Sequence, residues 1–228
     1  MKVYLVLSQA QTLSGLTNLD ILEGRLHAVP LMNDLRRWLY EQPPHELLVL
    51  DFQGVRAITA SFAMEVGPVL MQLIARVPAL DQRYPIYKLD NPEHAYTFAL
   101  VFAAMNWAGL AMLGQQIDRH PTLTPLVEYL SSTIAVLGSL TTQMERILMF
   151  ADQLAVEGKY LTSELLTSLD FQKAVTAGAR SKRLTELYER RLLGFHEKNG
   201  HERLFIPAWR LEEVSTTSVS ATYFLESE

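Results

Sequence analysis

Residues 47–66 read LLVLDFQGVRAITASFAMEV. The run LLVL ends at Asp51-Phe52 and lies between Pro44 and Gly54. A short, almost continuously apolar segment with such borders is the pattern of a strand buried on both faces. A polar link follows. At Ser61 a second apolar run opens and continues at helical spacing to about Ala75. Strand, loop and helix in that order predict a layered α/β unit whose loops gather at the strand ends. Ser61 then has an obvious local task. As an N-cap its hydroxyl accepts from the N–H of Met64, which is worth about 0.5–2 kcal/mol. Thr59 competes for the same role. Asp51 is expected to bond loop N–H groups at the strand end rather than to serve as a catalytic base.

The flanking sequence repeats this alternation. KVYLVLS is expected to be a first strand. From Glu23 to Tyr40, Leu26, Val29, Leu31, Leu35, Trp38 and Leu39 recur near helical spacing, with a kink or a late start at Pro30. Gln42-Pro43-Pro44 ends that helix. PIYKLD reads as a strand, Asn91-Pro92 starts a third helix, and Gly109 to Leu113 forms a fourth strand. Residues 96–113, YTFALVFAAMNWAGLAML, approach the length of a membrane span. Asn106-Trp107 and Gly109 interrupt them and no basic flank is present, so a buried helix followed by a buried strand is expected, and no membrane partner. QQIDRHPTLTP is a loop by composition. LVEYLSSTIAVLGSL fits a helix, or a helix and then a strand. Residues 116–140 are therefore taken as a connector between residues 1–115 and a second domain.

From residue 141 the rhythm changes. Thr141 or Thr142 can cap a helix striped by Met144, Ile147, Leu148, Ala151 and Leu154, with Gly158 as its stop. Thr162 or Ser163 caps a short helix, SELLTSL. In RSKRLTELYERRLLG, Leu184, Leu187, Tyr188 and Leu192 share a face and Gly194 ends the run. Two short runs then flank Asn199-Gly200, the strongest short-range hairpin signal. The Ser/Thr-rich segment 213–228 is a tail.

Composition narrows the function. The 228 residues are 49% hydrophobic and 20% charged, as in an ordinary globular protein, and contain no cysteine. Disulfides, thiolate metal sites and cysteine nucleophiles are thereby excluded, and a cytoplasmic protein is expected. No G-x-S-x-G, P-loop or dinucleotide glycine pattern occurs, so no catalytic residue and no cofactor is expected. His196 and His201 flank the hairpin tip but read as solvated residues, and no metal is expected. Charge is segregated. Residues 1–140 carry nine Lys/Arg against twelve Asp/Glu, whereas Lys173 to Arg210 carry nine basic against four acidic residues. A basic segment inside an acidic chain points to a polyanion partner.

Two resemblances follow from these residues. Asp51-Phe52, the Gly54-Val55 link, Ser61-Phe62-Ala63, the upstream Gly24-Arg25 and the downstream PIYKLDNPEHAYTFAL resemble the STAS domain of anti-sigma-factor antagonists, and more closely its STAS-like relatives, over residues 1–115. The resemblance implies an α/β domain that holds a regulatory protein partner, with Ser61 at the position of a phosphorylation switch. The antagonists typically have Asp-Ser-Ser-Gly where this chain has Thr59-Ala60-Ser61-Phe62. The capped TSELLTSL, the helix RSKRLTELYERRLLG and the Asn-Gly hairpin resemble the winged helix-turn-helix domain of bacterial transcription regulators, over residues 141–212. That implies a mainly α domain binding double-stranded DNA. On a helical wheel Lys182, Arg183, Glu186 and Arg190 lie opposite the apolar stripe and suit a major groove. Arg180 and Arg191 lie nearer the stripe edge, suited to phosphates or local pairing. Lys198 and Arg203 on the hairpin suit the backbone or a minor groove. The expectation is a homodimeric DNA-binding regulator, and the alternative is a partner-switching adaptor that touches no DNA.

Overall fold

The computed structural model describes residues 1–114, 127–130, 133–169, 176–198 and 202–211. The chain divides into two compact units, Met1–Thr141 and Thr142–Glu228.

The first unit is α/β. Its elements run β1 (Lys2–Leu5), α1 (Val6–Ser14), β2 (Ile21–Leu22), α2 (Gly24–Glu41), β3 (Glu46–Asp51), β4 (Ala57–Ile58), α3 (Ala60–Met64), α4 (Leu70–Arg76), β5 (Arg83–Leu89), α5 (Pro92–Ala104), β6 (Ala108–Leu113), β7 (Val127–Tyr129) and β8 (Ile134–Gly138). A six-stranded sheet is ordered β1-β3-β5-β6-β8-β7. The first four strands are parallel, and β8 and β7 add antiparallel to the β6 edge. Leu48, Leu50, Tyr87, Leu89 and Ala111 on one sheet face join Leu31, Leu35, Phe62, Val66, Phe98 and Phe102 from the helices in one core. Each such burial contributes about 1.5–3 kcal/mol, more than any cap, so the apolar pattern sets the fold. The opposite face carries the row Val3, Val49, Ile86, Leu110 and Val136 in direct register. The last four of that row are buried. The expectation that LLVL is buried on both faces is met.

Asn106-Trp107 separates α5 from β6, and among the described residues no helix is long and apolar enough to cross a membrane. Between α3 and α4 the backbone widens into a π-helical segment, Glu65–Val69, at Pro68. Proline has no N–H to return to the preceding turn, which explains the widening. The Tyr87 hydroxyl donates to the Val66 carbonyl within this segment at 3.0 Å.

Four expectations for this unit need correction. The first strand stops at Leu5, and Val6–Ser14 is helical. Val6 and Ala10, one turn apart, are the residues this helix buries. Pro30 neither delays nor divides α2, because it sits at an exposed position within the helix. Leu26 and Val29, expected in the helix stripe, are 77% and 49% exposed. Residues 127–138 are not a connector. Val127–Tyr129 and Ile134–Gly138 are two strands of the sheet, and the compact unit runs to Thr141.

The second unit starts with α6 (Thr142–Val156), which buries Met144, Ile147, Leu148, Ala151 and Leu154 as the stripe predicts. Leu161 then pairs with Phe205 as an isolated antiparallel bridge. A 3₁₀ turn at Leu165–Ser168 stands where SELLTSL was expected to be an α-helix. It is followed by α7 (Ala177–Glu189), β9 (Leu193–Lys198) and β10 (Glu202–Pro207), the last two an antiparallel pair. Asn199-Gly200, His201 and residues 212–228 lie outside the described residues, as does the link 170–175.

Candidate nucleic-acid interface

Helix α7 starts where the Thr176 hydroxyl accepts from the Ala179 N–H at 3.3 Å, a regular N-cap. It does not end at Gly194, which lies buried in β9. The stop is Arg191, whose φ of 61° is left-handed. The Leu192 N–H returns to the Leu187 carbonyl at 3.0 Å and the Arg191 N–H to Tyr188 at 2.8 Å. These two bonds are a Schellman closure with arginine in the position glycine usually holds. The Arg191 guanidinium stacks 4.9 Å from the Tyr188 ring and the residue is buried.

Leu184 and Leu187 fix the inner face of α7, and Tyr188 meets Phe195 of β9 edge-on at 4.9 Å. The hairpin is held on two sides. Leu161 exchanges two backbone hydrogen bonds with Phe205, each 2.8 Å, which makes Leu161 a third strand position beside β10. Beyond β10, Trp209 and Arg210 both donate to Asp152 of α6, at 3.0 and 2.8 Å.

This scaffold redistributes the expected cations. Lys182 and Arg203 are exposed, while Arg180, Arg183 and Glu186 are half-buried. Arg203 lies over the Phe195 ring, 5.1 Å from its centre. Arg190 leaves the expected groove-facing set. It is 8% exposed and donates to Glu186 at 2.8 Å, one turn back. The wheel counted Arg190 inside a helix running to Gly194, whereas α7 ends at Glu189 with Arg190 as its C-cap. The early stop at Arg191 packs Arg190 instead. Lys198 closes β9, but its side chain, like that of His196, lies outside the described residues.

Sequence reasoning missed a cleft of about 660 Å³ in this unit. Thr162, Ser163 and Glu164 line it from the turn after Leu161, and Ser181 and Thr185 from α7. Arg203 and Phe205 of β10 complete it, with Leu184 beside them. The available signal was Leu161, an isolated apolar residue after the Gly158 turn, whose pairing brings the Thr-Ser-Glu turn to the hairpin.

In the first unit the structure assigns the cap to Thr59, not Ser61. The Thr59 hydroxyl accepts from the Phe62 N–H at 3.3 Å and from the Gly24 N–H at 2.8 Å, so one oxygen closes the starts of both α3 and α2. Ser61 is exposed, its Oγ 3.2 Å from the Thr59 Oγ1. Arg25, beside Gly24, pairs with Glu65 at 3.1 Å. At the strand ends, Asp51 accepts from the Gln53 N–H at 2.9 Å and from Lys88 at 2.8 Å. The first of these is the loop bond expected of it. The hydrogen bond to Asp51 raises the Lys88 ammonium above its ordinary value, although partial burial opposes this. His94 is buried and held below the usual imidazole value by desolvation, against a hydrogen bond to the Arg56 backbone.

A scan of family models, a search of curated proteins and a search of solved structures each returned no match.

Proposed function

We propose that the chain is a DNA-binding transcriptional regulator, in which a winged helix-turn-helix unit contacts duplex DNA and a STAS-like unit supplies dimerisation or partner input. The observation that carries this reading is the Leu161–Phe205 pairing. With it, the second unit has the sequence helix, single bridging strand, turn, helix and hairpin, the order of a winged helix with its small three-stranded sheet. In this reading α7 presents Lys182 and Arg183 to the major groove, and Arg203 on the hairpin reaches the backbone. Arg180 near the start of α7 favours a phosphate. Arg190 has a structural role only, because its guanidinium is committed to Glu186.

The test is fluorescence anisotropy with random and native-promoter duplexes over a salt series. Binding should weaken linearly in log–log form, with a slope of about −0.9 for each phosphate neutralised. The double variant Lys182→Ala/Arg203→Ala should lower that slope by roughly one to two. Absence of salt-dependent binding at low ionic strength would overturn the reading.

A second reading, the partner-switching adaptor, draws support from the first unit. Leu13, Leu16 and Leu26 are 40%, 50% and 77% exposed around a groove between α1 and α2. In that reading Ser61 is the modified residue and its exposure gives a kinase access. Mass spectrometry of protein from its native cell should then find phosphate on Ser61, and an unmodified serine under all growth conditions would remove the switch.

A further inference from the structure

The cleft of the second unit carries two opposite charges that make no polar contact among the described residues. Glu164, on the turn after Leu161, and Arg203, on β10, both line it. Among the described residues neither side chain has a hydrogen bond or an ion pair. Among the described residues the Arg203 guanidinium is contacted through its face, against Phe195, a contact that does not use its N–H groups. The remaining lining is of two kinds. Leu184 and Phe205 are buried apolar residues at 1% and 5% exposure, and Ser163 and Ser181 add exposed hydroxyls. At about 660 Å³ the cleft falls within the range of small-molecule sites.

We propose that this cleft binds a free α-amino acid with an apolar side chain. Arg203 takes the carboxylate and Glu164 the ammonium, while the side chain lies on Leu184 and Phe205. The charge pattern selects against the alternatives. A phosphate would meet the Glu164 carboxylate, and a lone amine would meet the Arg203 guanidinium. A metal ion would find a single carboxylate among the described lining residues. Only a ligand with both signs satisfies both groups, and the hydroxyls suit its remaining polar edge. Because Arg203 also belongs to the proposed DNA surface, a bound amino acid would compete for it, so ligand and DNA would weaken each other reciprocally.

The experiment is isothermal titration calorimetry of the full chain, without DNA, using free leucine and phenylalanine. Glycine, N-acetylphenylalanine and phenylalaninamide serve as controls that lack the apolar body, the ammonium and the carboxylate in turn. Leucine or phenylalanine should bind in about the micromolar-to-millimolar range, and each control about tenfold or more weaker. Arg203→Gln and Glu164→Gln should each weaken binding about tenfold, with circular dichroism unchanged because both residues are exposed. Glu164→Gln also separates this proposal from the DNA reading, since it should weaken the amino acid while DNA affinity stays level or rises. The proposal is overturned if neither amino acid binds, if the blocked derivatives bind as well as the free ones, or if binding survives both substitutions.

Discussion

Replacing Thr59 by valine removes one hydroxyl and keeps the side chain's shape. That hydroxyl serves two backbone donors, the Phe62 N–H at 3.3 Å and the Gly24 N–H at 2.8 Å. Loss of the cap to α3 costs about 1 kcal/mol. Loss of the second bond, from the start of α2, costs about 1 kcal/mol more. The expected total is about 2 kcal/mol, which for a unit of about 150 residues is a melting shift of roughly 4–8 °C. Ser61→Ala is the control. Ser61 is exposed and lies 3.2 Å from the same Thr59 oxygen, but no backbone N–H among the described residues donates to it. Its substitution should stay within about 0.5 kcal/mol. Urea denaturation gives the ranking, and amide hydrogen exchange at Gly24 and Phe62 locates the effect. In Thr59→Val both amides should exchange faster, and in Ser61→Ala neither should. A Ser61→Ala cost equal to that of Thr59→Val would refute the argument, because it would return the cap to Ser61.

Other consequences concern packing, pairing and protonation. Gly109→Ala places a methyl against the Phe102 ring, and the resulting overpacking in β6 should cost about 1–3 kcal/mol by urea denaturation. Arg190→Ala should lower thermal stability while leaving any DNA affinity within about twofold, whereas Lys182→Ala should do the reverse. Burial holds the native His94 imidazole below its ordinary value of 6.5. Its contribution to stability is therefore complete above that value and declines as pH falls below it, because the unfolded chain takes up the proton first. Denaturation midpoints between about pH 8 and about pH 5.5 should show this decline, and His94→Gln should reduce it.

The sequence by itself determined the alternation of the first unit. LLVLDF, PIYKLD and the segment after Asn91-Pro92 are long enough, and apolar enough, for local pattern and tertiary demand to agree. The α6 stripe and the strands around Asn199-Gly200 were legible for the same reason. Tertiary structure decided what pattern could not. KVYLVL is apolar in strand and helix alike, and α1 begins because Val6 and Ala10 are the residues buried there. The segment holding Val127–Tyr129 and Ile134–Gly138 fits a helix, or a helix and then a strand, by composition, and both stretches became strands because β6 offers an antiparallel edge to Ile134–Gly138. Ser61 and Thr59 are equally good caps on paper, and only the return of α2, bringing the Gly24 N–H to Thr59, distinguishes them. Arg190 turned inward for a similar reason. A wheel assumes that the helix continues, and the left-handed Arg191 ends it. Each of these outcomes depends on a partner remote in sequence or on a single backbone turn, and neither leaves a periodic trace in the chain.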